Sequence, residues 1–145
     1  MNFFFVFFSN KVLGISMFAC FLAQFIKIFT GKDKFIQFSR IFTSGGMPSS
    51  HSSFVTSLAT LVGIERGFNS TDFAIVAVFA LIIMYDASGV RRAVGKQATI
   101  LNKILDDLHH KKHKKQKRLK ELVGHTPKEV LFGAILGIVT AIVFV

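Results

Sequence analysis

FAIVAVFALIIMY, residues 73–85, carries no charged side chain and no polar group before its closing tyrosine. A helix built from it is apolar around its whole circumference, which suits lipid or a deep interior and not the surface of a soluble domain. The run falls short of the about 20 residues that cross a bilayer. Continued through Ala87 to Gly89, it becomes a plausible span of roughly 71–88. The run 54–64 is extended in the same way by Ser49 to Ser53, to roughly 49–65. Two longer apolar stretches flank these, roughly 3–29, interrupted by Ser9, Asn10 and Lys11, and roughly 128–145. The N-terminal stretch lacks a basic region before it and a small-residue cleavage site, so it reads as a retained helix and not a signal peptide.

Composition agrees. Of 145 residues, 51% are hydrophobic and 18 are Phe, yet 18 Lys and Arg stand against 8 Asp and Glu, for a net charge of +10. The length allows one domain. The apolar fraction excludes a disordered or collagen-like chain, and a single cysteine, Cys20, excludes a disulfide scaffold or a cysteine-based zinc site. The expectation is an all-α integral membrane bundle of about four transmembrane helices, forming one domain over residues 1–145.

Charge assigns the sides. The connection after the first span carries Lys32, Lys34 and Arg40, and the one after the third carries twelve Lys or Arg, whereas the turn after the second holds only Arg66. The positive-inside rule then places both basic connections in the cytoplasm and both termini outside. Within the long connection, a basic insert of roughly 96–122, Ile100, Leu101, Ile104, Leu105 and Leu108 recur at helical spacing, which predicts a cytoplasmic amphipathic helix over 92–109. The cationic tract 111–120 that follows either attracts anionic membrane lipids, at about 1 kcal/mol per basic residue near the surface, or serves only as a topology signal. No aromatic residues interleave with it, which argues against nucleic acid.

Three polar clusters fall at helix ends on the same side. SGGMPSSHSS, 44–53, joins paired glycines, Pro48, Ser49, Ser50 and His51 at a helix N-terminus, where free N–H groups attract anions. YDASGVRRAVGKQA, 85–98, supplies Arg91 and Arg92, suited to phosphate, and Asp86, which is either paired with an arginine or functional. GHTPKEVLFG, 124–133, holds His125 and Glu129; Thr126, Pro127 and Glu129 also make a T-x-x-E capping box. In AQFIK, 23–27, Lys27 either snorkels to the interface or reaches into the site. A pocket of two histidines and several cations fits a phosphoryl group, with one histidine attacking phosphorus and the other protonating the leaving oxygen. No acidic cluster points to a metal.

GGMPSSHS, DASGVRR and GHTPKEVLFG together resemble the divergent branch of the type 2 phosphatidic acid phosphatases, a group related to acid phosphatases and vanadium-dependent haloperoxidases. Pro48, Ser49, Ser50 and His51 match a Pro-Ser-Gly-His element with Ser for Gly, and His125 with Glu129 matches a His-x-x-x-Asp element with Glu for Asp. The resemblance implies that His125 is the nucleophile, that Glu129 orients it and that His51 is the acid for the leaving group. It further implies that Lys27, Ser49, Ser50 and Arg91 or Arg92 bind substrate, without metal or cofactor. No arginine stands six residues before His125, so the third element reads as split, with Arg91 or Arg92 supplying the contact from before the insert. The wider group has six spans, so a homodimer could supply missing walls.

The function expected is hydrolysis of a lipid phosphate monoester or pyrophosphate, of the phosphatidic acid, phosphatidylglycerol phosphate or polyprenyl phosphate type, through a phosphohistidine. The alternative is a non-catalytic membrane protein that binds anionic phospholipid or serves in assembly or transport.

Overall fold

The computed structural model describes residues 9–30, 46–108, 119 and 124–145, and every regular element among them is an α-helix. In chain order these are α1 (Lys11–Phe29), α2 (Ser50–Arg66), α3 (Thr71–Ser88), α4 (Val90–Leu108) and α5 (Pro127–Phe144). Four of them start on a side chain that accepts an otherwise orphaned backbone N–H: Asn10 for α1, Ser49 for α2, Ser70 for α3 and Thr126 for α5. A helix starts at the interruption Ser9 to Lys11, where the Asn10 carboxamide takes the Leu13 N–H. Residues 3–8 of that expected span lie outside the described residues. Pro48, expected in the first turn of the second helix, instead precedes its cap, after a cis peptide bond from Met47. α3 does continue through Ala87 and Ser88, and it ends where the Gly89 N–H donates to the Tyr85 carbonyl at 2.8 Å.

The interior is small and polar while the exterior is large and apolar. Buried hydrophobic positions are mostly alanines, among them Ala19, Ala23, Ala80, Ala87 and Ala141, whereas Phe21, Phe25, Ile75, Phe79, Ile82 and Ile142 are exposed. Water would penalise that surface, but lipid does not, and in lipid helices associate through small residues and interhelical hydrogen bonds. Among the described residues, three helical stretches are long and apolar enough to cross a membrane, namely α1, a window within Thr71–Asp106 and α5. α2, with 17 residues and six Ser or Thr, is the most polar of the four bundle helices. It tolerates those hydroxyls because α1, α3 and α5 all pack around it. Ser53 Oγ donates to the Ala19 carbonyl of α1 at 3.0 Å, and Thr56 Oγ1 donates to the Ala134 carbonyl of α5 at 3.0 Å. On the α5 side, Gly133 and Gly137 sit directly against the α2 backbone at Ser49 and Ser53.

α4 is the expected amphipathic helix, and among the described helices it packs only on α3. Its buried positions are Gly95, Ala98 and Asn102, while Ile100, Leu101 and Ile104 of the predicted apolar stripe are exposed. That stripe faces away from the bundle, as an interfacial helix would present it to a bilayer surface. The Asn102 carboxamide clamps the backbone of Leu119, donating to its carbonyl at 3.0 Å and accepting its N–H at 3.1 Å. The rest of the cationic tract, 111–118 and 120, lies outside the described residues.

Candidate active site

The C-terminal ends of α1 and α3 and the N-terminal ends of α2 and α5 meet at one end of the bundle. Backbone bonds tie them: the Ser49 N–H donates to the Glu129 carbonyl at 3.0 Å, and the His125 N–H donates to the Ala87 carbonyl at 2.8 Å. Thr30, just past α1, also donates to the Met47 carbonyl. Gly124 has φ of 93°, a conformation that side chains resist, and a Cβ there would overlap the backbone of Arg91 and Arg92. This glycine lets the chain approach α4 closely enough to present His125 to the site.

His125 is only 1% exposed, and its Nδ1 lies 3.3 Å from Glu129 Oε2. The same oxygen accepts the Thr126 N–H at 3.0 Å, while Thr126 Oγ1 accepts the Glu129 N–H at 3.3 Å. The capping box and the histidine contact are thus one arrangement: the cap fixes the carboxylate, and the carboxylate fixes the ring. With Nδ1–H donating to Glu129, Nε2 carries the lone pair, and this buried nitrogen has no hydrogen-bond partner among the described residues. The His51 ring lies edge-on to it, centroids 6.1 Å apart, on the exposed side of the first turn of α2. Two rings at that separation can address one phosphoryl group from different sides.

The cations fall unequally. Lys27 is 3% exposed, so it does not snorkel to the interface but lies inside the bundle end, its stem near Gly46. Its charge acts on both His51 and His125. Arg91 Nε pairs with Asp86 Oδ2 at 2.8 Å, with both side chains partly exposed, and both groups act electrostatically on His51. Asp86 therefore takes the ion-pair role. Arg92 is exposed and makes its close approach through its backbone, against Gly124. Ser49 and Ser50 are buried. The Ser49 hydroxyl takes part in the cap, accepting from Ser52 N at 3.3 Å and Ser52 Oγ at 3.0 Å, so it shapes the helix start. The free N–H groups of the first turn remain as anion donors. Among the described residues, no group of three or more His, Cys, Asp or Glu could hold a metal ion. The Ala87 carbonyl and Gly124 position the His125 segment and were not read from the sequence as site residues; only the glycine, before a histidine and a capped helix, carried a signal.

Burial pulls the His125 imidazole below the ordinary histidine range, and the Lys27 charge adds to the pull. The hydrogen bond to Glu129 and its charge oppose it. The ring nitrogen facing away from Glu129 is therefore held toward the free base, and acid protonates it only below the ordinary histidine range. Glu129→Gln is expected to move the acid limb of any His125-dependent activity to lower pH, because the carboxylate charge that raises the pKa is lost and the hydrogen bond to a neutral amide is weaker. Glutamine still closes the capping box. A pH–rate profile of the purified variant checks this; a limb that stays in place or moves up would separate Glu129 from the ionisation of His125.

The helix ends define a membrane bundle with a paired-histidine site at one end. The Divergent PAP2 family matches residues 8–140, and the chain belongs to it. It is also 44% identical over 149 residues to a Bacillus subtilis (strain 168) protein described as uncharacterized membrane protein YuiD, across 93% of this chain and 94% of the relative. No solved structure matches the chain.

Proposed function

We propose that the protein is an integral membrane phosphatase that hydrolyses a lipid phosphate monoester or pyrophosphate through a phosphohistidine. The observation that carries the reading is the buried His125 Nε2, without a partner, oriented by Glu129 and faced by His51. Membership in the Divergent PAP2 family points to the same chemistry.

In this scheme Nε2 of His125 attacks phosphorus as the bond to the lipid oxygen breaks, and His51 gives that oxygen a proton. His51 then takes a proton from water as the water attacks the phosphohistidine; the P–N bond breaks, orthophosphate leaves and both histidines return to their starting states. Lys27, Arg91 and the first-turn N–H groups of α2 neutralise charge on the equatorial oxygens. By the positive-inside rule the site lies on the cytoplasmic side. The exposed stripe of α4 and the 111–120 tract hold that end to anionic lipid.

The test is orthophosphate release by the purified protein in detergent from phosphatidic acid, phosphatidylglycerol phosphate and a polyprenyl phosphate. Release from at least one of them, inhibited by vanadate, is expected. No release from any would favour the non-catalytic, lipid-binding alternative.

A further inference from the structure

Between α3 and α5, outside the interior, an open groove of about 690 Å³ runs along the bundle. One wall is Leu81, Ile82 and Met84, the other Val130, Leu131 and Ala134. Its end nearest the histidines is formed by Tyr85, Ser88 and Pro127. That end joins the site through the chain itself. Ser88 follows Ala87, whose carbonyl holds the His125 N–H, and Pro127 lies two residues beyond His125.

We infer that this groove holds a hydrocarbon tail of the lipid whose phosphate is processed at His125, an inference that rests on the phosphatase reading. Three features select a tail. The walls are apolar away from the site, and the hydroxyls of Tyr85 and Ser88 stand only at the end beside it, which matches an amphiphile with its head at the helix ends. From Leu81 to Ser88 the α3 wall runs about 10 Å along the helix axis, at about 1.5 Å per residue. A membrane lipid lies along that same direction. The wall residues Leu81, Ile82 and Leu131 are also exposed, so a tail can enter sideways from the bilayer without the bundle opening. The groove thereby sets specificity by chain and not by headgroup, and a water-soluble phosphate ester of the same head would lose this part of the binding energy.

The experiment uses phosphatidic acid carrying a diazirine in its acyl chain, photolysed with the full-length protein in lipid nanodiscs, and labelled positions mapped by mass spectrometry. Label is expected on α3 around 81–85 and on α5 around 130–134, competed by unlabelled phosphatidic acid. Leu131→Trp and Ile82→Trp, which fill the groove from exposed positions, should reduce that label by about tenfold, the effect of about 1.4 kcal/mol of lost contact. They should lower kcat/KM for long-chain phosphatidic acid by a similar factor and leave glycerol 3-phosphate turnover unchanged. Ile142→Trp, exposed on α5 but outside the groove, should change neither. Label spread evenly over the exposed Phe face of α1, or label in the groove that no lipid competes, would overturn the inference. So would disulfide cross-links between two chains through Leu131→Cys, which would give the groove to a second copy. Competed label without any phosphate release would retain the tail groove and reject the phosphatase, and release with label elsewhere would do the reverse.

Discussion

His125→Ala is expected to reduce phosphate release from lipid phosphates by about three orders of magnitude or more, the scale on which loss of a catalytic nucleophile acts. The expectation depends on how little else the imidazole does. The backbone N–H of residue 125 still reaches the Ala87 carbonyl in the variant, and the Thr126 cap still closes on Glu129. The side chain's hydrogen bond is to Glu129, which keeps the Thr126 N–H when the ring is gone. The variant should therefore elute and melt as the parent does while being inactive, and acid-quenched protein exposed to ³²P-labelled lipid phosphate should carry no acid-labile label. His51→Ala should cost about 10²–10⁴-fold, the range for general acid–base groups, with the phosphoenzyme still forming from a substrate whose leaving group needs no proton. Wild-type activity in His125→Ala would remove the nucleophile assignment outright.

Helix ends were easier to read than helix interiors. The T-x-x-E pattern announced the start of α5, and the Ser-Ser-His stretch announced that of α2, because capping uses side chains whose spacing is local. The convergence of Lys27, His51, Arg91 and His125 at one end followed from alternating apolar spans. Which cation serves the site did not follow. Arg91 and Arg92 are adjacent and chemically equal, and only the fold shows Arg91 paired with Asp86 with its charge acting on His51, and Arg92 with its backbone against Gly124. Nor does the sequence say that α2 is the hub. Its six hydroxyl residues look like a weak span, and only packing shows that three other helices surround it. The clamp of Asn102 on Leu119 joins residues 17 apart without any local pattern that announces it.

The hub makes a second large effect predictable. Gly133→Val and Gly137→Val are each expected to prevent stable assembly, observed as aggregation on size-exclusion chromatography or as loss of a cooperative melt in detergent. A Cβ at Gly133 would overlap the Ser49 carbonyl, and one at Gly137 would overlap the Ser53 carbonyl and the Thr56 hydroxyl. Those atoms belong to backbone and to a hydroxyl that already bonds Ala134, so no flexible side chain can swing aside. The helices would have to separate. Overpacking a tight core costs about 1–3 kcal/mol, occasionally more, and in lipid no hydrophobic effect between helices compensates for lost contact. Gly14, one turn into α1, is the control: a Cβ there meets nothing within 4 Å, so Gly14→Ala should assemble normally. The consequence reaches the chemistry, because Gly133 sits one helical turn from Glu129 on the seam where the Ser49 N–H reaches the Glu129 carbonyl. Gly133→Ala, the milder change, should then lower activity more than Gly137→Ala at comparable stability, since displacing α5 at its start moves Glu129 and with it the His125 ring. Equal losses from the two alanine variants would show that the seam holds the bundle together but does not set the geometry of the site.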